Sequence, residues 1–416
     1  LLAIPGEARD EATRDLLRRR WLADVDPASL SLRQELVALE AERTAIEQQI
    51  PRTMVMAELD PPRPTHLLIR GQYDQLGEAV EPGLPEALVS SVGSSATEQT
   101  DRLSRLDLAR WMTSDDHPLT SRVAANRLWE MLFGTGLVET SEDFGIQGSA
   151  PSHPELLDHL AFELIDGDWS QRRLLRRIVL TSTYRQSSYA SHEGLERDPN
   201  GRLLSRGPRH RLNAETVRDN ALAIAGLLET RSGGASVMPY QPEGLWEDVS
   251  VERREKYVVG NGGDLYRRSM YTFWKRTCPP PTMASFDAPD RETCVVRRAR
   301  TNTPLQALVL LNDPTYVEAA RVLAESLLSE SQDDRARLEL AYLRAVCRQP
   351  SDAEARVLLD LLGEARARFA ADPSAADKLT SIGRSPRPAT PDPVELAAWS
   401  VVTDVILNLD ETVSKP

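Results

Sequence analysis

Apolar residues in this chain return at intervals of three and four, and the segments that carry them are punctuated at both ends as helices are. In "HPLTSRVAANRLWEMLFGTG", Pro118 stands near a first turn, Val123, Leu128, Trp129 and Leu132 form an apolar stripe, and Gly134 provides the stop. "APSHPELLDHLAFELIDGDW" repeats the grammar: Ser152 is placed to cap, Pro154 and Glu155 sit in the first turn, and Gly167 ends the run. "SLRQELVALEAERTAIEQQI" spaces Leu32, Leu36, Leu39 and Ile46 helically, so the segment from Asp10 to about Glu58 reads as one or two long amphipathic helices. "DRLSRLDLARWMTS", "SQRRLLRRIVLTSTYRQSS", "LNAETVRDNALAIAGLLE" and "TPLQALVLLNDPTYVEAARVLAESLLSE" follow suit, the last broken at Asp313-Pro314. A helical pair broken near Pro350 is predicted over Asp334 to Phe369. "ADPSAADKLTSIGRSPRPATPDP" reads as a loop before a final helix, "VELAAWSVVTDVILNLDE". The pattern predicts a mainly α, bundle-like fold with a long Gly/Pro-rich loop region over 232–300 that carries a few short β-strands.

Three parts are expected: helices over 1–58, an extended connector over 59–112, and a domain over 113–416. The connector holds a β-prone run at Leu67 to Ile69, a turn at Arg70-Gly71 and the Ser-rich "SSVGSSATEQTD". A length of 416 residues with 41% hydrophobic content is enough for one large domain or two modest ones. The formal net charge of -13 sets an average field that repels nucleic acid. No stretch approaches the roughly 20 apolar residues that span a bilayer. The opening "LLAIPGEARDEATRDLLRRR" has no Met and no signal-peptide pattern, so it reads as the middle of a longer polypeptide. Cys278, Cys294 and Cys347 form no CxxCH or zinc motif. Pairing of Cys278 with Cys294, or two free thiols, are both open.

Against the acidic background, "RRSMYTFWKRTCPPPTMASFDAPDRETCVVRRARTNTP" (267–304) gathers eight basic residues and three acids. "MYTFWKR" alternates as a strand would, with Met270, Thr272 and Trp274 on one side. Guanidinium forks suit carboxylate, sulfate or phosphate oxygens, and ring faces suit stacking. The candidate binding residues are Trp274, Lys275, Arg276, Asp287, Arg291, Arg297, Arg298, Arg300 and Asn302. The competing reading has these charges pair locally and tether a long loop. His153, Glu155 and His159 form a minority candidate for metal, since Glu155 and His159 share a helix face. Glu243, Asp248, Asp264 and Asp287 could supply acid and base, but no spacing singles out a pair. There is no GxSxG, P-loop or GxGxxG signature, and no catalytic residue is assigned.

"HPLTSRVAANRLWEMLFGTGLVETSEDFG", "SHPELLDHLAFELIDGDWSQRRLLRRIVLTSTYRQSS", "LYRRSMYTFWKRTCPPPTMASFDAPDRETCVVRRARTNTPLQALVLLND" and "ILNLDETVSKP" together resemble the planctomycete-specific domain of unknown function 1553, from about Thr113 to the C-terminus. "LLAIP" and "RPTHLLIRGQYDQLGEAVEPGLP" are similar to the connector that joins it to a preceding domain of unknown function 1549. The resemblance implies an extracytoplasmic protein, periplasmic or at the cell surface, with haem c on an upstream cytochrome c domain and no cofactor in this chain. It implies bacteria rich in polysaccharide-degrading and sulfatase genes, and as partners the upstream domains and an anionic polysaccharide. It supplies no reaction. The leading expectation is a C-terminal module that binds an anionic or carbohydrate-like substrate. The alternatives are a hydrolase or lyase working through carboxylates and His153 or His159, and a scaffold that docks the haem domain.

Overall fold

The computed structural model describes residues 5–89, 102–387 and 392–415. The Ser-rich stretch at 90–101 lies outside them. The chain divides into two compact units, one of residues 1–83 with 99–106, the other of residues 84–98 with 107–416.

In the first unit Asp10 caps α1 (Glu11–Asp24) by accepting from the Thr13 amide at 2.8 Å. Asp26 caps α2 (Pro27–Gln49), whose first residue is a proline. The expected pair of helices forms but stops at Gln49, short of Glu58, and no residue of either helix is buried, with Leu32, Leu36, Val37, Leu39 and Ile46 exposed. β1 (Thr65–Leu68) and β2 (Leu76–Val80) make an antiparallel hairpin around the Arg70-Gly71 turn.

The second unit is helical: α3 (Arg105–Met112, begun in the first unit), α4 (Thr120–Phe133), α5 (Pro154–Asp166), α6 (Gln171–Val179), α7 (Ala214–Ile224), α8 (Pro304–Asn312), α9 (Pro314–Glu330), α10 (Asp334–Val346), α11 (Asp352–Ala371), α12 (Pro373–Thr380) and α13 (Pro393–Leu407), with shorter turns between. One cluster of buried side chains joins α4, α5 and α6 through Trp129, Leu160, Leu164, Leu174 and Ile178. A larger one surrounds α13, whose Leu396, Ala397, Ala398, Trp399, Val402 and Ile406 are all buried, because its sequence is apolar almost all round. Ala319, Ala320 and Ala324 let α9 approach closely enough for Thr403 Oγ1 to donate to the Ala320 carbonyl at 2.8 Å. Each fully buried leucine there, such as Leu323, contributes about 2 kcal/mol through apolar burial.

Three local expectations are corrected. The segment read as a loop before the last helix contains α12, capped by Asp372 and held by the buried Ala376 and Thr380. "MYTFWKR" makes no regular strand: Ser269–Tyr271 is a 3-10 turn, and only isolated bridges, Val237 with Thr272 and Lys275 with Cys278, follow it. The N-cap of α5 is His153 rather than Ser152. One pairing went unforeseen. β3 (His210–Arg211) pairs antiparallel with β4 (Ser414–Lys415), setting His210 opposite Lys415.

Candidate functional site

Within the second unit, four separated pieces of chain wall a cleft of about 1130 Å³. The last turns of α4 supply Arg127, Glu130 and Gly134; β3 supplies His210 and Arg211; the loop 294–300 supplies three arginines; β4 supplies Lys415. α4 turns Ala125, Leu128 and Trp129 inward, which leaves Arg127 exposed on the outer face. It stops at Gly134 with φ +83°, where a Cβ would stand 2.9 Å from Arg300 Nη1 and 3.0 Å from the His210 ring. The absent side chain therefore lets Arg300 and His210 close over the helix end, and Arg300 Nη1 donates to the Gly134 carbonyl at 2.7 Å.

The arginine loop is anchored at both ends. Arg298 pairs with Glu215 of α7 at 2.7 Å. Asp287, at φ +61°, accepts from the Thr301 amide at 2.7 Å and from its hydroxyl. Buried Gln306 ties the base together: its Nε2 donates to the Ser285 carbonyl and to Thr301 Oγ1, and its Oε1 accepts from Arg211.

Glu130 is the single carboxylate among the described residues of the wall, and its Oε2 accepts from Ser141 Oγ at 2.7 Å. Arg127 and Arg297 have no carboxylate partner among the described residues. Burial, with Arg300 and Lys415 adding to it, pushes His210 down to about 4, so its imidazole is neutral at pH 7, and its buried Nδ1 has no hydrogen-bond partner among the described residues. Burial also lowers Lys415 to about 8. Its Nζ lies 3.7 Å from the Tyr184 ring centroid and 3.5 Å from the Leu132 carbonyl. The ring face favours the ammonium, but with no carboxylate in contact burial prevails. A second hollow of about 740 Å³ shares Gly134, His210 and Arg300 with the first, and brings in Ser187, Ser188 and Tyr189. Such a surface can hold an anion by several charge-assisted hydrogen bonds at once.

The structure divides the residues picked from the sequence. Arg297, Arg298 and Arg300 meet in the cleft. Trp274, Lys275 and Arg291 form a clasp elsewhere: Trp274 Nε1 donates to the Asp290 carbonyl at 2.8 Å, Arg291 stacks 4.3 Å above its ring, and Lys275 pairs with Glu255 while lying 4.6 Å over Trp246. Asp287 supports the loop. Arg276 and Asn302 are exposed and line no part of the cleft. Arg267 is 2% exposed and donates to the carbonyls of Ala235, Arg231 and Gly233. Of the acids considered for catalysis, Asp248 pairs with Arg253 and Asp264 with Arg231.

His153, Glu155 and His159 lie on α5, away from the cleft. His153 Nδ1 is 3.0 Å from Ser152 Oγ, and exposed His159 faces Glu163 at 3.9 Å rather than Glu155. Among the described residues no three His, Cys, Asp or Glu side chains are grouped to hold a metal. Cys278, Cys294 and Cys347 are all unpaired, and Cys294 stands on the cleft wall. Arg127, His210, Arg211 and Lys415 were not anticipated. The scarcity of lysine, four in the chain, is the one signal that could have drawn attention to Lys415.

No helix among the described residues is long and apolar enough to cross a membrane. Comparison with curated proteins and with solved structures returns no match. Residues 104–362, more than half the chain, match the family described as protein of unknown function (DUF1553). The chain therefore belongs to the DUF1553 family.

Proposed function

We propose that the cleft binds an anionic or carbohydrate-like ligand. One observation carries the reading: six cations from four separated segments line one opening, and although Arg298 and Arg211 are paired with Glu215 and Asp410, the other four, Arg127, Arg297, Arg300 and Lys415, have no carboxylate in ion-pair contact among the described residues. Bringing like charges together is unfavourable unless something negative is received there. The setting in this proposal is the one the resemblance implies. The chain is the C-terminal module of an extracytoplasmic, planctomycete-type protein that follows a domain of unknown function 1549, and redox chemistry resides in haem c on an upstream cytochrome domain.

Thermal unfolding in the presence of carboxylated and sulfated oligosaccharides, citrate and inorganic phosphate tests the reading, since a ligand of the folded state raises the melting temperature. We expect a rise that shrinks with salt, and a loss of affinity on the order of tenfold in Arg298→Ala and Arg300→Ala, with Arg276→Ala unchanged. Failure of every anion to shift unfolding at low salt would sink the proposal.

A second reading, docking of the upstream haem domain on the first unit, is favoured by the exposed Leu32, Leu36, Val37, Leu39 and Ile46 of α2. It concerns a different surface and does not compete for the cleft.

A further inference from the structure

Only four of the chain's 50 basic Lys and Arg residues are lysine: Lys256, Lys275, Lys378 and Lys415. Lys256 and Lys378 are exposed, and Lys275 is paired with Glu255. Lys415 alone of the four lines the cleft. There the chain interrupts a wall of guanidinium groups with the one cation that can give up its proton.

The surroundings of Lys415 favour the free amine. Its Nζ touches the Tyr184 ring and the Leu132 carbonyl and no carboxylate among the described residues. Glu130, on the same wall, has an oxygen bonded to Ser141, and the other charges of that wall are the cations Arg127, Arg297 and Arg300, together with Arg211 and Arg298, which are paired with Asp410 and Glu215. Burial brings the ammonium down to about 8, so that a useful fraction is unprotonated near neutrality. His210, directly opposite in the β3–β4 pair, is itself neutral, and its Nδ1 has no hydrogen-bond partner among the described residues. A lysine meant only as a counter-ion for an anion would be better as arginine, which this chain uses everywhere else on the wall.

We propose that Lys415 is a nucleophilic amine, and that the ligand is an anionic carbonyl compound, an aldehyde or keto acid or a phosphorylated equivalent, which Lys415 takes as an imine while the arginines hold its charge. The inference rests on the cleft binding an anion. The Nζ lone pair attacks the carbonyl carbon, the C–N bond forms, and the carbonyl π pair moves to oxygen, which takes up a proton. A proton then leaves nitrogen to give the neutral carbinolamine, the nitrogen lone pair expels the hydroxyl as water with a second proton taken up at oxygen, and the protonated C=N so formed loses its remaining N–H proton to give the imine.

The test uses pyridoxal 5′-phosphate, which joins an aldehyde to a phosphate, followed by borohydride reduction and mass-spectrometric mapping of all four lysines. At a pH of about 8 half of the Lys415 amine is unprotonated, against less than about 1% for an exposed lysine. We expect the reduced adduct to form at Lys415 faster than at Lys256 and Lys378, on the order of tenfold or more, and excess inorganic phosphate to suppress it. Lys415→Arg abolishes the adduct. Labelling of Lys415 no faster than of Lys256 and Lys378, with phosphate still raising the melting temperature, overturns this inference and spares the anion-binding reading. Labelling of Lys415 that phosphate does not suppress, with no phosphate effect on unfolding, overturns the anion-binding reading and with it the assignment of the ligand. The map of the unaltered protein decides between these outcomes even if the variant does not fold.

Discussion

The helices at the end of the chain and the cleft both concentrate arginine, and they treat it in opposite ways. Arg366 holds Glu395 at 2.8 Å and Asp334 at 2.7 Å, and Arg337, 7% exposed at its side chain, takes Asp334 at 2.9 Å. Arg348 likewise grips Glu354 and Glu411, both at 2.6 Å. In the cleft, Arg127 and Arg297 face other cations, and Arg300 has a backbone carbonyl in place of a carboxylate. Matched charges knit helices whose outer faces would otherwise be free to slide. Unmatched charges lower the stability of the surface that carries them, and that arrangement makes sense where the compensating charge comes from outside.

The largest expected effect lies in the matched region. Glu395 accepts from Arg366 and from Trp399 Nε1, and stands 3.6 Å from Arg337. Glu395→Ala strands the buried Trp399 indole N–H and leaves Arg366 and Arg337 to share Asp334 alone, and we expect a loss of about 2 kcal/mol. Urea unfolding measures it. A loss below about 1 kcal/mol would show that the network is ornamental and would remove one side of the contrast.

Acid separates the two regions next, because each loses stability in its own window. Hydrogen bonding from Arg348 lowers Glu354 to about 2, so its contribution is complete above its ordinary 4.5 and is lost as pH falls toward 2. His210 is depressed from 6.5 to about 4, so the folded state resists protonation and loses stability as pH falls from 6.5 through 4. Glu354→Gln should cost about 1 kcal/mol at neutral pH, solvent screening at this half-exposed site having been allowed for. The variant and the parent should converge near the low end, while the slope between 6.5 and 4 stays in both. Unfolding free energy measured across that range checks the order of the two windows. A Glu354→Gln variant that flattens the upper window would contradict it.

The matched region was far more legible in the sequence than the cleft. Pro118, Gly134, Pro154 and Gly167 bracket α4 and α5 because caps and stops act within a few residues of themselves. α12 was missed because it is only eight residues long and opens on Pro373 and Ser374, and the burial of Ala376 and Thr380 outweighs that. "MYTFWKR" has strand composition but no partner strand to complete a ladder, and propensity without a partner makes only bridges. Arg297, Arg298 and Arg300 could be found as a local run. Arg127, His210, Arg211 and Lys415 could not, since two-residue strands paired across half the chain leave no periodicity to read.

The smallest expected effect is the most telling about the contrast. Arg297 helps hold down the Arg300 guanidinium, which is already lowered by burial, so the pair repels in the folded state. Replacing Arg127 and Arg297 together by Gln removes two cations with no carboxylate partner among the described residues, and takes away repulsion rather than attraction. Unfolding free energy should stay within about 0.5 kcal/mol of the parent and move upward if it moves. Raising the salt concentration screens the same repulsion, so the parent should gain more from salt than the double variant does. Anion affinity should fall in the double variant while its unfolding curve stays put, because a residue kept for a ligand is conspicuous only when the ligand is present. If the double variant instead melts well below the parent, these arginines belong with Arg366 and Arg348 as structural ties, and the cleft would have to be read as part of the same knitted surface.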